Sequence, residues 1–234
     1  MKSQFLKGMS HGVPIMLGYL SVSFGFGIMA VKAGLPVSAA VLISALNLTS
    51  AGQAAGVTII AAGGTVIEMI LTQLTINIRY ALMALSLSQK LDKSFKLPQR
   101  LAVSYGITDE IFAVASAQPE KLSPLYMAGL ILVSFIGWVS GTFLGAAAGQ
   151  LLPKSLTDAM GIVLYGMFIA IIIPPSRKSK RVLTVVVIAA GISILFRYLI
   201  TTVSGGFAVI ISAVAASAAG ALLFPVNDGE EDEK

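Results

Sequence analysis

Seven times along its length this chain runs apolar for long enough to cross a bilayer, at about residues 11–31, 36–62, 65–87, 125–151, 156–173, 182–200 and 205–224. Roughly 20 apolar residues in helical form cover the roughly 30 Å of hydrocarbon. No water reaches backbone N–H and C=O groups inside lipid, so such a chain folds as α-helices that bond within themselves. Composition agrees, because 56% of residues are hydrophobic, only 12% are charged and mean hydropathy is +0.88, values that a soluble domain does not combine. Residues 101–118, "LAVSYGITDEIFAVASAQ", are less apolar and carry two adjacent acids at their centre. They read as a re-entrant or broken element rather than a lipid-facing helix. The expected fold is an all-α polytopic integral membrane protein, a single transmembrane domain over 1–234, with about seven transmembrane helices plus that piece.

Charge and residue inventory narrow the chemistry. The net charge of +5 would suit a nucleic-acid binder, but five of the eleven acids lie in the tail 227–234, "NDGEEDEK", which reads as disordered. Most basic residues fall in short loops between apolar stretches, so nucleic acid is not an expected partner and membrane lipid is. There is no cysteine, and His11 is the single histidine, which excludes thiol nucleophiles, disulfides and His/Cys metal or haem sites. No metal or cofactor is expected; His11 itself reads as an interfacial residue. Lys2 and Lys7 ahead of an apolar run resemble a signal peptide, but no small-residue cleavage site closes it, so the segment is expected to remain as a helix.

Orientation follows from the basic loops. Lys90, Lys93, Lys96 and Arg100 fill one; Arg177, Lys178, Lys180 and Arg181 fill another. Both belong on the cytoplasmic face of a cell inner membrane. With seven spans, and 101–118 returning to the side it came from, the N-terminus is expected outside and the C-terminus inside. A weak internal similarity divides the chain. "AGLPVS" ending at Ser38 resembles "GQLLPKS" ending at Ser155, and Arg79–Tyr80 recurs as Arg197–Tyr198. The expected units are a first repeat at about 1–118 and a second at about 119–226, inverted relative to each other as in many secondary transporters; chance likeness among apolar helices gives the same matches.

Arg79, with Asn77 beside it, sits inside an apolar stretch, where a permanent cation is costly unless it faces a cavity or a partner. At 3.6 residues per turn, Glu68, Thr72, Thr75 and Arg79 share one face, a polar stripe for a bundle interior. The alternative is that Arg79 snorkels to the headgroups near Lys90. Arg197 is its candidate counterpart in the second repeat. Glu68 closes "TVIE", a capping-box pattern with Thr65, and is otherwise a candidate proton carrier. "NLTSAGQAAG", residues 47–56, interrupts its apolar stretch, and Ser50-x-x-Gln53 resembles a capping box that starts a new half-helix. The free N–H groups and dipole of such a start bind carboxylates; close packing of small residues is the competing reading. Thr108 reads as an N-cap, with Asp109 and Glu110 in the first turn after it. Capping accounts for one acid, leaving the other as a cation partner or proton carrier. Ser50, Gln53, Asn77, Arg79, Asp109 and Glu110 are thus candidate substrate ligands, and Asp109, Glu110 and Glu68 candidates for proton coupling. "GWVSGTFLG" and "GAAAG" read as close helix packing.

These motifs resemble the AzlC family of branched-chain amino acid exporters. "TSAGQAA", "NIRY" and "GITDEIFA" stand in the family's order, and the likeness extends through "SFGFGIMA" and "LMALSLSQKL", covering most of the first half. Tyr80 stands where the family commonly has histidine, and the Gly–Gln of "SAGQ" is shifted. The resemblance implies a proton-coupled secondary exporter of leucine, isoleucine, valine and in some members methionine, working with a small AzlD-like membrane subunit. A passive channel or a permease subunit driven by a separate ATPase is the alternative; the chain carries no P-loop of its own. An intramembrane enzyme is not expected, since neither a serine–base pair nor facing aspartates are present.

Overall fold

The computed structural model describes residues 2–149, 153, 166, 169, 172–200 and 202–225. Among these the protein is helical: α1 (Lys2–Lys32), α2 (Val37–Leu46), α3 (Ser50–Ala61), α4 (Val66–Ser88), α5 (Leu97–Tyr105), α6 (Asp109–Ser116), α7 (Pro124–Ala148), α8 (Lys180–Tyr198) and α9 (Gly205–Leu223). Residues 172–178 are also helical and are set off from α8 by Ser179, which caps it. Among the described residues five helices, α1, α4, α7, α8 and α9, are long and apolar enough to cross a membrane. Most of the expected span at 156–173 lies outside the described residues, as does the acidic tail.

The scaffold is the α1–α7 pair, packed over its whole length. Small residues on α7 make this possible: a Cβ at Gly137 or at Gly141 would stand 2.5 Å from the carbonyl oxygen of Met16 or of Leu20. Only glycine admits so close an approach of two backbones. The contacts rise together in number, with Gly8 beside Tyr126, Met16 beside Gly137 and Gly27 beside Thr142, so the two helices run in the same direction.

Against this pair pack two helical hairpins, which lie between α1 and α7 in chain order. Residues 36–62, expected as one span, instead turn back. α2 and α3 have 10 and 12 residues, roughly 15 and 18 Å, each half a bilayer. Ala40 near the start of α2 and Val57 near the end of α3 share one cluster with Ala30 and Ala146, the final turns of α1 and α7, so both open ends of the hairpin lie at that end of the molecule. A hydropathy profile cannot separate a hairpin from a span, because the two arms together have the length of one helix. α5 and α6 form the second hairpin, entering from the opposite end. α5 follows α7 inward, with Gln99 near Pro124 and Tyr105 against Phe135. α6 then returns to Ser116, whose carbonyl accepts from Lys90 Nζ at 2.5 Å, and the chain pairs Leu122 with Leu91. Residues 101–118 are thus re-entrant, as their polarity implies. The hairpin tips meet: Tyr105 Oη donates to the carbonyl of Ala45.

Each hairpin is followed by a long helix, α4 or α7, and the caps correspond, Thr49 with Thr108 and Thr65 with Ser123. An inverted relation therefore links 37–88 with 97–148. It is not the one drawn between 1–118 and 119–226, because α1 and α7, which open those halves, run parallel.

The topology corrects the expected placement of the N-terminus. The start of α1 lies beside Tyr126 at the start of α7, and hence at the same end as the basic loop 90–100. α9 begins beside Glu68 at the start of α4, and Arg181 at the start of α8 lies against Phe224 beyond the end of α9. The second basic cluster thus shares the end that holds the first. Counting 36–62 as a crossing placed α1 the other way up.

Candidate functional site

Midway along α1, α4 and α7, where the hairpin tips meet, there is a cavity of about 260 Å³. Its walls come from the starts of two half-helices. Thr49 caps α3 by accepting from Gly52 N at 3.3 Å, and Ser50 and Ala51 in its first turn line the cavity. Thr108 caps α6 by accepting from Ile111 N at 3.3 Å, and Asp109 and Glu110 line the facing side. Two positive helix ends therefore aim at one space; one carries its own carboxylates and the other carries none.

Arg79 reaches into this space from α4. Its Nη1 lies 2.8 Å from Asp109 Oδ1 and 2.7 Å from Oδ2. Nη2 donates to Tyr80 Oη at 3.3 Å, and the guanidinium stands 4.9 Å from the Tyr80 ring centre. The cation is held by an acid and an aromatic face, so snorkelling does not describe it. Glu110 is held differently. Buried Tyr19 of α1 donates to Glu110 Oε2 at 2.6 Å and lies 2.5 Å from Thr108 Oγ1. With its one proton on Glu110, Tyr19 receives the Thr108 hydroxyl proton, which orders all three groups. Trp138 packs edge-on against Tyr19 at 5.1 Å, and Leu48, Ile76 and Ile172 supply aliphatic wall.

The structure thus gathers Ser50, Arg79, Asp109 and Glu110 around one cavity. It places the other candidates elsewhere. Gln53 does not close a capping box with Ser50, because Thr49 is the cap; its side chain is buried and donates to Ser44 Oγ at 2.7 Å, which meets Thr142 Oγ1 at 2.6 Å. It binds the arms of the α2–α3 hairpin to each other and to α7. Asn77 donates to Gln73 Oε1 at 3.0 Å, and Gln73 donates to the carbonyl of Gly52 at 2.8 Å, a ladder that ties α4 to α3 beside the cavity. The stripe from Glu68 to Arg79 divides. Thr65 accepts from Glu68 N at 3.1 Å, half of the expected capping box, but the Glu68 carboxylate is taken up by α9. Its Oε1 accepts from Ser204 Oγ at 2.5 Å and Gly206 N at 2.9 Å, at the first turn of α9. Arg197 lies at the turn between α8 and α9, in a separate groove with Val203 and Gly205. His11 accepts or donates with Tyr126 Oη at 3.0 Å near the start of α1. Among the described residues no group of three or more His, Cys, Asp or Glu could hold a metal ion.

Tyr19, Tyr80 and Trp138 complete the site; the sequence marks Tyr80 as part of a recurring pair but not as a wall residue, and Tyr19 and Trp138 carry no distinguishing pattern. Aromatic residues in apolar helices are ordinary, and only the arrangement of α1, α4 and α7 brings these three together.

The family model described as AzlC protein matches residues 14–152, which contain every wall residue named except Ile172. The chain is similar to "Inner membrane protein YgaZ" of Escherichia coli (strain K12), 27% identical over 194 residues covering 80% of this chain and 79% of that protein. It is also similar to an "Uncharacterized membrane protein" of Archaeoglobus fulgidus, 31% identical over 225 residues and 94% of both chains. A Helicobacter pylori (strain ATCC 700392 / 26695) protein printed with that same description is 25% identical over 186 residues, 76% of this chain and 80% of its own. No solved structure matches.

Proposed function

The chain belongs to the AzlC family of membrane proteins, and from that premise we propose that it is a secondary transporter that exports branched-chain amino acids in exchange for protons. The observation that carries this reading is the mid-depth cavity between two half-helix starts, with the Arg79–Asp109 pair and the Glu110–Tyr19 pair on its wall. A zwitterion with an aliphatic side chain needs an anion partner, a cation partner and an apolar wall in one small space. Here the α3 start and Arg79 offer positive charge, Asp109 and Glu110 offer negative charge, and Leu48, Ile76 and Ile172 offer the wall. Glu110 binds either the ammonium of the solute or a proton, and that competition is what couples export to the proton gradient.

Alternating access follows from the paired hairpins, each of which stands between the cavity and one face. The end that bears the basic loops faces the cytoplasm by the positive-inside bias, which puts both the start of α1 and the end of α9 inside. The small AzlD-like subunit belongs to this reading as a partner, and the long apolar faces of α4 and α8 are available to it or to lipid.

The test is efflux of preloaded labelled leucine, isoleucine and valine from cells expressing this chain, alone and with the small subunit, with and without a protonophore. Efflux that collapses when the protonophore is added supports proton-coupled export. Efflux that survives the protonophore but stops when ATP is depleted assigns the energy to a separate ATPase. Saturable exchange with neither requirement leaves a uniporter.

A further inference from the structure

Three features of the cavity bear on which group receives the carboxylate. The N–H groups at the start of α3 come first. A helix start leaves its first N–H groups without intrahelical acceptors. Thr49 takes one of them, Gly52 N, on its hydroxyl, and Gln53 N makes the first intrahelical bond to the Thr49 carbonyl, so the N–H groups left over include those of Ser50 and Ala51, the α3 residues that line the cavity. The second feature is Trp138. It stands on the cavity wall at 3% exposure, and its indole N–H has no hydrogen-bond partner among the described residues. A buried donor left unpaired is costly, and a protein does not ordinarily carry one. The third is that Arg79 is already engaged, by Asp109 and by Tyr80.

We propose that the cavity reads its solute from the acid end, with the carboxylate docked on the Ser50 and Ala51 N–H groups and hydrogen-bonded by the Trp138 indole, while Arg79 stays with Asp109 as a positioning residue. This rests on the amino-acid export reading for the nature of the solute. It fixes one orientation. The start of α6 already holds two carboxylates and repels a third, so the ammonium points to α6 and the carboxylate to α3. Uncharged donors at the acid end let a carboxylate dock without first displacing Asp109 from Arg79.

Trp138 is the sole tryptophan of the chain, so its emission reports this site alone. The purified full chain, reconstituted in lipid vesicles that contain no other protein, is titrated with L-leucine, with 4-methylpentanoate, which lacks the ammonium, and with 3-methylbutylamine, which lacks the carboxylate. Leucine and, more weakly, 4-methylpentanoate should change the emission saturably, and 3-methylbutylamine should not. In a labelled-leucine binding measurement, Trp138→Phe keeps the ring, removes the donor and should weaken leucine binding about tenfold. Ser50→Pro deletes an N–H at a position where a helix tolerates proline and should bind more weakly than Ser50→Ala. Equal emission changes with leucine and with the amine, or Ser50→Pro binding as well as Ser50→Ala, would overturn the dock. Labelled leucine that binds with no change in emission and no effect of Trp138→Phe overturns it while leaving export intact. Saturable binding of 4-methylpentanoate with no binding of any amino acid keeps the dock and removes the amino-acid reading.

Discussion

Removing the Glu68 carboxylate takes two hydrogen bonds from a nearly fully buried acceptor and leaves the Ser204 hydroxyl and the Gly206 N–H without a partner. Glu68→Ala should therefore lower stability by about 2–4 kcal/mol, read as a fall in the thermal unfolding midpoint in detergent. Glu68→Gln keeps an acceptor at the same place and should lose less than half of that. If both variants unfold as the parent does, the carboxylate is not what fastens α9. Asp109→Asn removes the charge that faces Arg79 while keeping the shape. It should reduce gradient-driven leucine efflux at least tenfold at unchanged protein level, and normal efflux from this variant would take the acid out of the mechanism. Sequence reading singled out Arg79, Asp109, Glu110 and Ser50, which the structure gathers at one cavity, because a charge or a polar break inside an apolar stretch has few explanations. The partners of Gln53 and Glu68 were not legible because each is on another element: Ser44 on the preceding arm, and Ser204 fully 136 residues away. A capping-box pattern says what a side chain can do locally and is silent about a better partner across the bundle.

At the scale of elements, the α1–α7 pair depends on backbones that nearly touch. Gly141→Val places side-chain atoms where the Leu20 carbonyl stands, so the two helices must part. This variant should fail to accumulate in membranes or lose most of its cooperative unfolding transition, whereas Gly191→Val on α8, where a Cβ meets nothing within 4 Å, should behave as the parent. Equal expression and melting of the two would contradict the packing described. The small-residue runs of α7 announced this contact in the sequence. The hairpin course of α2 and α3 was not announced, since apolarity records that a segment is in lipid and not whether it reaches the far side. The polar interruption at 47–49 did mark the place where the chain turns.

For the whole molecule, the two basic clusters and the start of α1 lie at one end and the 63–65 turn at the other. A chain with no cysteine is a ready background for accessibility mapping. Lys93→Cys and Gly63→Cys should react with a membrane-impermeant maleimide from opposite faces, Gly63→Cys in intact cells and Lys93→Cys only after the membrane is opened. Labelling of both from outside would break the topology. The arrangement also bears on electricity. Two short hairpins, each spanning half the thickness, leave their meeting point about midway through the transmembrane voltage. A proton that reaches Glu110 from either face has then crossed about half of that potential, on the order of 1 kcal/mol at 100 mV. On the proposed exchange of one proton for a net-neutral zwitterion, one charge crosses per cycle, half of the potential on either side of this depth, so the membrane voltage as well as the difference in pH would drive it.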